Sequence, residues 1–382
     1  MNSAKAKTTH PVADEDVRFM RLALALGRRG LGNTWPNPAV GAVVVKDGIV
    51  AGRGWTQPGG RPHAETEALR QAGAAANGAT IYVTLEPCSH HGKTPPCADA
   101  IATAGITRVV SAIEDPNPDV AGQGHTRLRK AGIEVVVGPC ADEAVKAHAG
   151  HIRRILAGRP HVTLKLAVSA DGRAALAGRR PVQITGEETR ARVHLMRAMN
   201  DAILIGIGTV LADDPELTCR LPGMERQSPV RVILDYDLRL PVTSKLATSA
   251  RHIPVWAFCG VDAPADREQA LVSKGIEVHR ITGEDGRLDL PDLLRALANK
   301  GITRLLVEGG PSIAASFVSA DLVDEVALLR GPITIGVDGI DALEGLPLDA
   351  LVSSAHLRAS GTEVIGADIL SHFERTSCSQ AS

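Results

Sequence analysis

Four residues set the chemistry open to this chain. His63, Cys88 and Cys97 offer one imidazole and two thiols, and Glu65 stands two positions after the histidine. A donor set of this kind suits zinc, and three protein ligands leave the fourth coordination position for water, as catalytic rather than closed structural sites do. Zinc brings the pKa of a bound water down to about 7. Glu65 is placed to handle protons without joining the ligand shell. The plainer alternatives are a structural zinc site, unmetallated core residues, and a carboxylate on a helix surface.

The order of these residues narrows the chemistry. Pro62-His63-Ala64-Glu65 followed by Pro87-Cys88 and Cys97 follows the H-x-E…P-C…C signature of zinc deaminases, which act on nucleobase-like amino groups. The usual second half is P-C-x-x-C, whereas here eight residues separate the cysteines. That insert carries His90 and Lys93, which its position between two ligands puts at the mouth of the pocket; exposed loop residues are the alternative. Asn37, between Pro36 and Pro38, is either a rigid turn former or a reader of a base edge. Further on, Glu308-Gly309-Gly310-Pro311-Ser312 joins a strand end to a helix start, where glycines let backbone N–H groups approach an anion. It is a candidate phosphate or dinucleotide cradle without the G-x-G-x-x-G pattern. Asp171-Gly172 and Asp213-Asp214-Pro215 read by themselves as turns. Cys140, Cys219, Cys259 and Cys378 read as inert.

The elements that must position these groups alternate between strand and helix. A helix is expected over Asp14 to Arg29, and a hairpin over Val40–Val45 and Ile49–Gly54 about Asp47-Gly48. A helix opening at His63 should run to about Ala75, and a buried strand over Ala79–Leu85 should deliver Cys88. A helix from Pro96 to Ala104 carries Cys97 near its start, where the dipole favours a thiolate. Strand Arg108–Ile113, a helix around Ala121–Ala131 and strand Glu134–Val137 complete an α/β/α sandwich. A charged helical link over about Asp142–Leu156, then Gly158-Arg159-Pro160, marks the boundary between residues 1–150 and 158–375. Beyond it the alternation restarts: strands at His161–Val168, Ala202–Gly206, Val230–Leu234, Val255–Phe258, Glu277–Ile281, Arg304–Val307 and Glu325–Leu329, with helices at Glu187–Met199 and Leu290–Lys300.

A chain of 382 residues is too long for one ordinary core, so two domains are expected. Apolar residues make up 44% and aromatics only 2%, so aliphatic side chains must fill the interior. The formal net charge of −1 argues against a general nucleic-acid or membrane-surface binder. The first fifteen residues lack the apolar stretch of a signal peptide, and scattered cysteines, two of them in a metal-like motif, fit a reducing compartment. A cytoplasmic enzyme is expected.

Pro62-His63-Ala64-Glu65 with Glu86-Pro87-Cys88-Ser89-His90-His91-Gly92-Lys93-Thr94-Pro95-Pro96-Cys97 resembles the bifunctional deaminase/reductase family of riboflavin biosynthesis. The second half resembles that family's reductase domain in Lys165-Leu166-Ala167-Val168-Ser169-Ala170-Asp171-Gly172, in Gly206 to Pro215 and in Val307-Glu308-Gly309-Gly310-Pro311. The likeness covers the chain from about Asp14 to Ile369. It implies an α/β protein, a cytidine-deaminase-like α/β/α sandwich followed by a dihydrofolate-reductase-like domain. The family deaminates 2,5-diamino-6-ribosylamino-4(3H)-pyrimidinone 5′-phosphate, then reduces the ribosyl side chain to ribityl with NADPH.

Carried over by motif, the resemblance gives His63, Cys88 and Cys97 to zinc, proton transfer to Glu65, and the pyrimidine and phosphoribosyl group to Asn37, His90 and Lys93. In the reductase it gives substrate contacts to Lys165, Pro181, Thr185, Arg197, Asp213, Leu217, Arg220 and Glu308, with Asp213 beside the reacting ribose. Arg197 and Arg220 suit bidentate contact with a phosphate. NADPH contacts fall to Ala167, Gln183, Thr209, Asp213 and the run Gly310, Pro311, Ser312, Ile313, Ala314, Ala315 and Ser316. A small-molecule substrate, no nucleic acid, no membrane, and a homo-oligomer (dimer or tetramer) are the implied partners. Three positions depart from the family: Thr56 replaces a histidine, Pro181 and Gln183 replace the Ser and Trp of Ser-x-Trp-Ile-Thr, and Ala327 to Ile333 lacks Ala-Pro-x-x-Leu-Gly. An active deaminase with a structural or dimer-forming reductase-like half is therefore the competing reading. The long cysteine spacer, the fused second half and the near-neutral charge oppose a tRNA or DNA deaminase.

Overall fold

A computed structural model describes residues 13–90, 95–180, 182–352 and 354–376. The chain divides between Ala157 and Gly158 into two compact units. The first runs α1 (Asp14–Gly27), β1 (Gly41–Lys46), β2 (Ile49–Trp55), α2 (Ala64–Ala72), β3 (Thr80–Val83), α3 (Cys97–Thr103), β4 (Arg108–Ser111), α4 (Gln123–Lys130), β5 (Glu134–Val137), α5 (Ala141–Ala147) and α6 (Ala149–Ala157). Its sheet has the order β2-β1-β3-β4-β5. β1 pairs antiparallel with both β2 and β3, and the remaining pairs are parallel.

Strand side chains alternate between the two faces. Ala42, Val44, Ile81 and Val83 pack with Ala64, Ala68, Ile101 and Leu128 from α2, α3 and α4. Val43, Val45 and Tyr82 pack on the other side with Phe19, Met20 and Ala23 of α1 and Ala144 of α5. The expected α/β/α sandwich results. α2 lies so close to β2 that a Cβ on Gly52 would stand 2.1 Å from the Ala68 carbonyl oxygen, and one on Gly54 2.3 Å from that of Ala64.

Some boundaries shift from the sequence reading, each for a local reason. α1 ends at Gly27 and tightens into a 3₁₀ turn over Arg28–Gly30. α2 stops at Ala72 because Gly73 turns to positive φ. α4 begins only at Gln123, after the left-handed Gly122. The helical link is two helices, interrupted at His148, whose Nε2 lies 3.0 Å from Thr84 Oγ1.

In the second unit seven parallel strands stand in the order Glu277–Ile281, Val255–Gly260, Val230–Leu234, Ala202–Gly206, Arg304–Val307, His161–Val168 and Glu325–Arg330. Asp368–Arg375 and Leu357–Ile365 extend the sheet as an antiparallel hairpin at its edge. That hairpin escaped the sequence reading because Leu357–Ile365 is mostly exposed and shows no apolar alternation. The central strands are buried almost throughout, Ala202–Gly206 at every position, as expected of a parallel sheet covered on both faces. Among the described residues no helix is long and apolar enough to cross a membrane.

Asp16 of α1 is buried and accepts hydrogen bonds from Arg108 Nη1 (2.8 Å) and Nη2 (2.9 Å) and from Tyr82 Oη (3.0 Å). The Arg108 hydrogen bonds hold its carboxyl below the usual value. A carboxylate with a depressed pKa contributes stability above its unfolded pKa of about 4, and loses that contribution as pH falls through the lower folded value. Asp16→Asn should therefore cost about 1.5–3 kcal/mol at pH 7. Chemical denaturation at pH 7 and pH 3 should show that the difference from wild type shrinks at the lower pH.

Candidate active site

The first unit brings His63, Cys88 and Cys97 together at the C-terminal end of β3. His63 is the N-cap of α2 and Cys97 the first residue of α3, so two helix N-termini converge on the site. His63 Nδ1 lies 3.8 Å from Cys88 Sγ and 3.3 Å from Cys97 Sγ. The three ligand atoms all fall within 4.8 Å of one another. The Cys97 N–H donates to Cys88 Sγ at 3.2 Å, and Ala98 N–H to the Cys88 carbonyl at 3.1 Å. Hydrogen bonding from the Cys97 thiol, aided by that N–H, brings Cys88 down to about 4, while Cys97 is pushed up by the same contact and by burial. Glu65 is 4% exposed, and burial pushes its carboxyl up despite the attraction of His63.

Asn37 is fixed on the loop before β1. Its N–H donates to the Thr34 carbonyl (3.0 Å), its carbonyl accepts from Thr34 Oγ1 (3.0 Å), and its Nδ2 donates to the Gly60 carbonyl (2.8 Å). Gly60 has φ +83, and a Cβ there would meet Asn37 Nδ2 at 2.4 Å. The neighbouring Thr56 is buried and accepts from the Val40 N–H through Oγ1 (3.0 Å), while its own N–H donates to the Val40 carbonyl (2.9 Å). Thr56 therefore acts in this chain as a latch between the Asn37 loop and the β2 end. His90 is exposed. Lys93 lies outside the described residues.

In the second unit the parallel register aligns Leu164, Leu204 and Val307, so Lys165, inside its longer strand, comes beside Glu308 at the C-terminal end of the neighbouring one. Ligand crevices of open α/β sheets lie at such ends. Arg197 grips Glu308 bidentately, Nε to Oε1 at 2.8 Å and Nη2 to Oε2 at 2.9 Å, and its Nη1 donates to the Thr218 carbonyl at 3.2 Å. Burial alone would raise Glu308, but Arg197 holds it below the usual value; burial pushes Lys165 down against the attraction of Glu308. Beyond Glu308 the chain passes through Gly309 and Gly310 into the Pro311–Ser319 helix, whose N-cap Gly310 has no side chain to occupy the first-turn amides.

The deaminase zinc-binding region of the cytidine and deoxycytidylate deaminases matches residues 13–113, and the RibD C-terminal domain matches residues 160–371. The riboflavin biosynthesis protein RibD of Bacillus amyloliquefaciens is 43% identical over 92% of this chain and 94% of its own length. That of Escherichia coli is 41% identical over 94% of this chain and 99% of its own. The chain belongs to the RibD family. A solved RibD structure from Acinetobacter baumannii superposes with a TM-score of 0.84 at 37% identity, over 95% of this chain and 99% of that one. The deaminase/reductase structure from Thermotoga maritima gives 0.82 at 35%, with the same coverage. As in the family, this is a bifunctional enzyme of riboflavin biosynthesis, a deaminase that uses zinc joined to a reductase that uses NADPH.

The residues present fit both groups. An imidazole and two thiols, their ligand atoms within 4.8 Å of one another, suit a tetrahedral zinc donor set with a position to spare. The uncapped helix start after Gly309-Gly310 fits the phosphates of a dinucleotide. Among residues that RibD resemblance links to cofactor or substrate, Ala167 is half-buried on its strand and Thr209 Oγ1 lies 3.4 Å from where a Cβ of Gly310 would be. Ala314 and Ala315 are buried, so that stretch of the helix presents only Ser312, Ile313 and Ser316 side chains and backbone. Pro311 is half-buried at the first helical position. Leu217 is buried at φ +58, and Thr185 is half-buried beside the exposed Gln183. Asp213 closes its helix in an exposed position, with desolvation pushing its carboxyl up. Arg220 donates to Glu216 at 2.8 Å. Pro181 lies outside the described residues.

Sequence reading overlooked the groups that aim the RibD zinc loop. Glu86 is buried and its carboxylate accepts from the N–H groups of Asp115 (3.1 Å), Gly122 (2.8 Å), Gly124 (2.7 Å) and His125 (3.3 Å), tying the cysteine loop to the start of α4. Gly124 is required there, since a Cβ would meet the Pro87 carbonyl oxygen at 2.0 Å. Arg127 of α4 donates to the Ser89 carbonyl (3.0 Å) and to Asp99 (2.6 Å), clamping the insert where it enters and leaves. The adjacency of Glu86 to Pro87-Cys88 was the available signal. Its partners, 29 to 39 residues away, were not visible in the sequence.

Glu86→Gln keeps the shape but replaces two acceptor oxygens with one and an unwanted donor. Zinc affinity, measured by competition with a chromogenic chelator, should fall about 10–100-fold, as for other groups that orient metal ligands. Zinc binds cysteine as the thiolate, so its binding must release protons from the ligand thiols. Affinity should therefore rise with pH, by about tenfold per unit where one proton is released, and the same chelator titration repeated across pH checks that slope.

Proposed function

We propose that the first unit hydrolyses the amino group of 2,5-diamino-6-ribosylamino-4(3H)-pyrimidinone 5′-phosphate, and that the second reduces the deaminated product's ribosyl chain to ribityl. The observation that carries the deaminase reading is Glu65, buried in the first turn of the same helix whose N-cap is His63, where burial pushes its carboxyl up. His63, Cys88 and Cys97 are the proposed ligands, and zinc when bound supplies the Lewis acidity that makes water a nucleophile near neutral pH. Glu65 passes on the two protons of the attacking water in turn, one to the ring nitrogen and one to the departing ammonia. Asn37, pinned by Thr34 and Gly60, offers a fixed amide edge to the pyrimidine. His90 and Lys93 are assigned to the phosphoribosyl group.

In the reductase NADPH supplies the hydride, so the protein's task is placement. Lys165 is held short of full basicity by burial, next to Glu308, and suits a hydrogen bond to a sugar hydroxyl. Arg197, fully engaged by Glu308, reaches substrate as part of that pair, which leaves Arg220, with one exposed carboxylate partner, to meet the phosphate. Asp213 is the proposed polar group beside the reacting ribose, and the run from Gly310 to Ser316 with Ala167 and Thr209 is the proposed cofactor cradle. The enzyme is proposed to work in the cytoplasm as a homo-oligomer.

Glu65→Gln should lower ammonia release by about 10²–10⁴-fold, with NADPH oxidation unchanged when the deaminated intermediate is supplied. Asp213→Asn should do the reverse, slowing NADPH oxidation while leaving ammonia release intact. Equal loss of both signals in either variant would remove that residue's assigned role.

A further inference from the structure

A groove of about 710 Å³ runs over the free edge of β2 and belongs to neither catalytic centre. Its walls come from Arg29 after α1, from Arg53, Trp55 and Gln57 on and after the strand, and from Glu67, Arg70 and Gln71 on α2. Ligand pockets for small molecules span about 300–1,000 Å³, so the volume suits one.

The strand edge is already closed to another strand. Gln71 Oε1 accepts from the Arg53 N–H at 2.7 Å, and Gln57 Nε2 donates to the Trp55 carbonyl at 2.8 Å, so side-chain amides satisfy the backbone groups that an added strand would need. What the groove leaves on offer is charge and one aromatic face. Arg70 is neutralised by Glu67 at 2.8 Å. Arg29 and Arg53 have no carboxylate partner among the described residues. Arg53 and Trp55 stand two positions apart on one strand and so share a face. The Arg29 guanidinium lies 5.0 Å from the Trp55 ring centroid. A guanidinium over an indole is a stacking surface, and a second guanidinium lining the same groove, that of Arg53, is a phosphate donor in fork geometry.

We propose that this groove binds a planar heterocycle carrying a phosphate monoester, with the ring against Trp55 and Arg29 and the phosphate on Arg53 and Arg29. Its floor connects to the deaminase loops: Gln57 donates its N–H to the Pro62 carbonyl at 3.0 Å, next to His63, and accepts from the Gly60 N–H at 2.9 Å, next to the carbonyl that holds Asn37. A ligand there touches the segment that fixes both.

The test uses the full-length, zinc-loaded protein with NADP⁺ present to fill the cofactor site, titrated calorimetrically with adenosine 5′-monophosphate as the probe. Wild type should bind one equivalent that Arg29→Gln/Arg53→Gln loses or binds at least about tenfold more weakly, with both catalytic rates unchanged. Trp55→Leu should weaken the probe similarly, and adenosine or inorganic phosphate alone should each bind at least about tenfold more weakly than the monophosphate. Equal affinity in wild type and the double variant overturns the proposal. So does inorganic phosphate binding as tightly as the monophosphate, which would leave a bare anion patch. A change of oligomeric state in the double variant by sedimentation, without loss of a binding equivalent, would make the groove an interface between copies and also overturn it.

Discussion

The N-terminal unit depends on how closely α2 can lie against β2. Gly52 and Gly54 allow helix carbonyls to approach where any side chain would collide, and the apolar face of Ala64, Ala68 and Ala72 then seals the contact. That seat sets the height of His63 at the helix start and buries Glu65 one residue inside it. The other half of the metal site is aimed by a different device. Glu86 gathers four backbone N–H groups around one carboxylate, and so fixes the cysteine loop to α4 without using any residue of the loop's own interior. Close packing and a buried charge satisfied entirely by backbone donors together place three ligand atoms from three separate segments within one coordination sphere.

The reductase unit solves a different problem with a paired charge. Glu308 stands at the C-terminal end of a central strand, where an isolated buried carboxylate would be costly. Arg197 answers it from the last turn of its helix with two parallel hydrogen bonds, and Lys165 emerges alongside on the neighbouring strand. An arginine–carboxylate pair with an amine beside it is thereby held near the strand ends, while the glycines after Glu308 open the adjacent helix start. The stretch from Ala327 to Ile333 is anchored locally: Arg330 donates to the Ala170 carbonyl and the Ala170 N–H to the Ile333 carbonyl, while just beyond it Ile335 and Gly336 donate their N–H groups to Asp171.

The legible part of this protein was whatever its chemistry writes into short spacings. His63 with Glu65, the paired prolines and cysteines, and the glycines after Glu308 are local motifs, and strand and helix periods are local too, so the α/β character and the cluster of candidate metal ligands could be read directly. Helix ends moved by a few residues because left-handed glycines and the Thr84 contact to His148 decide them. The exposed hairpin at the far sheet edge stayed hidden because it has no buried face to impose a pattern.

Tertiary structure alone decided which charges meet. Glu86 finds its donors 29 to 39 residues away, and Arg197 meets Glu308 across 111. Arg197, which by residue type suits a phosphate, is turned to a carboxylate instead; Thr56 becomes a backbone latch. Sequence determined which groups exist and the periods of the elements that carry them. The partner each group takes depends on strand register and helix seating, which arise only when the two sheets close over their cores.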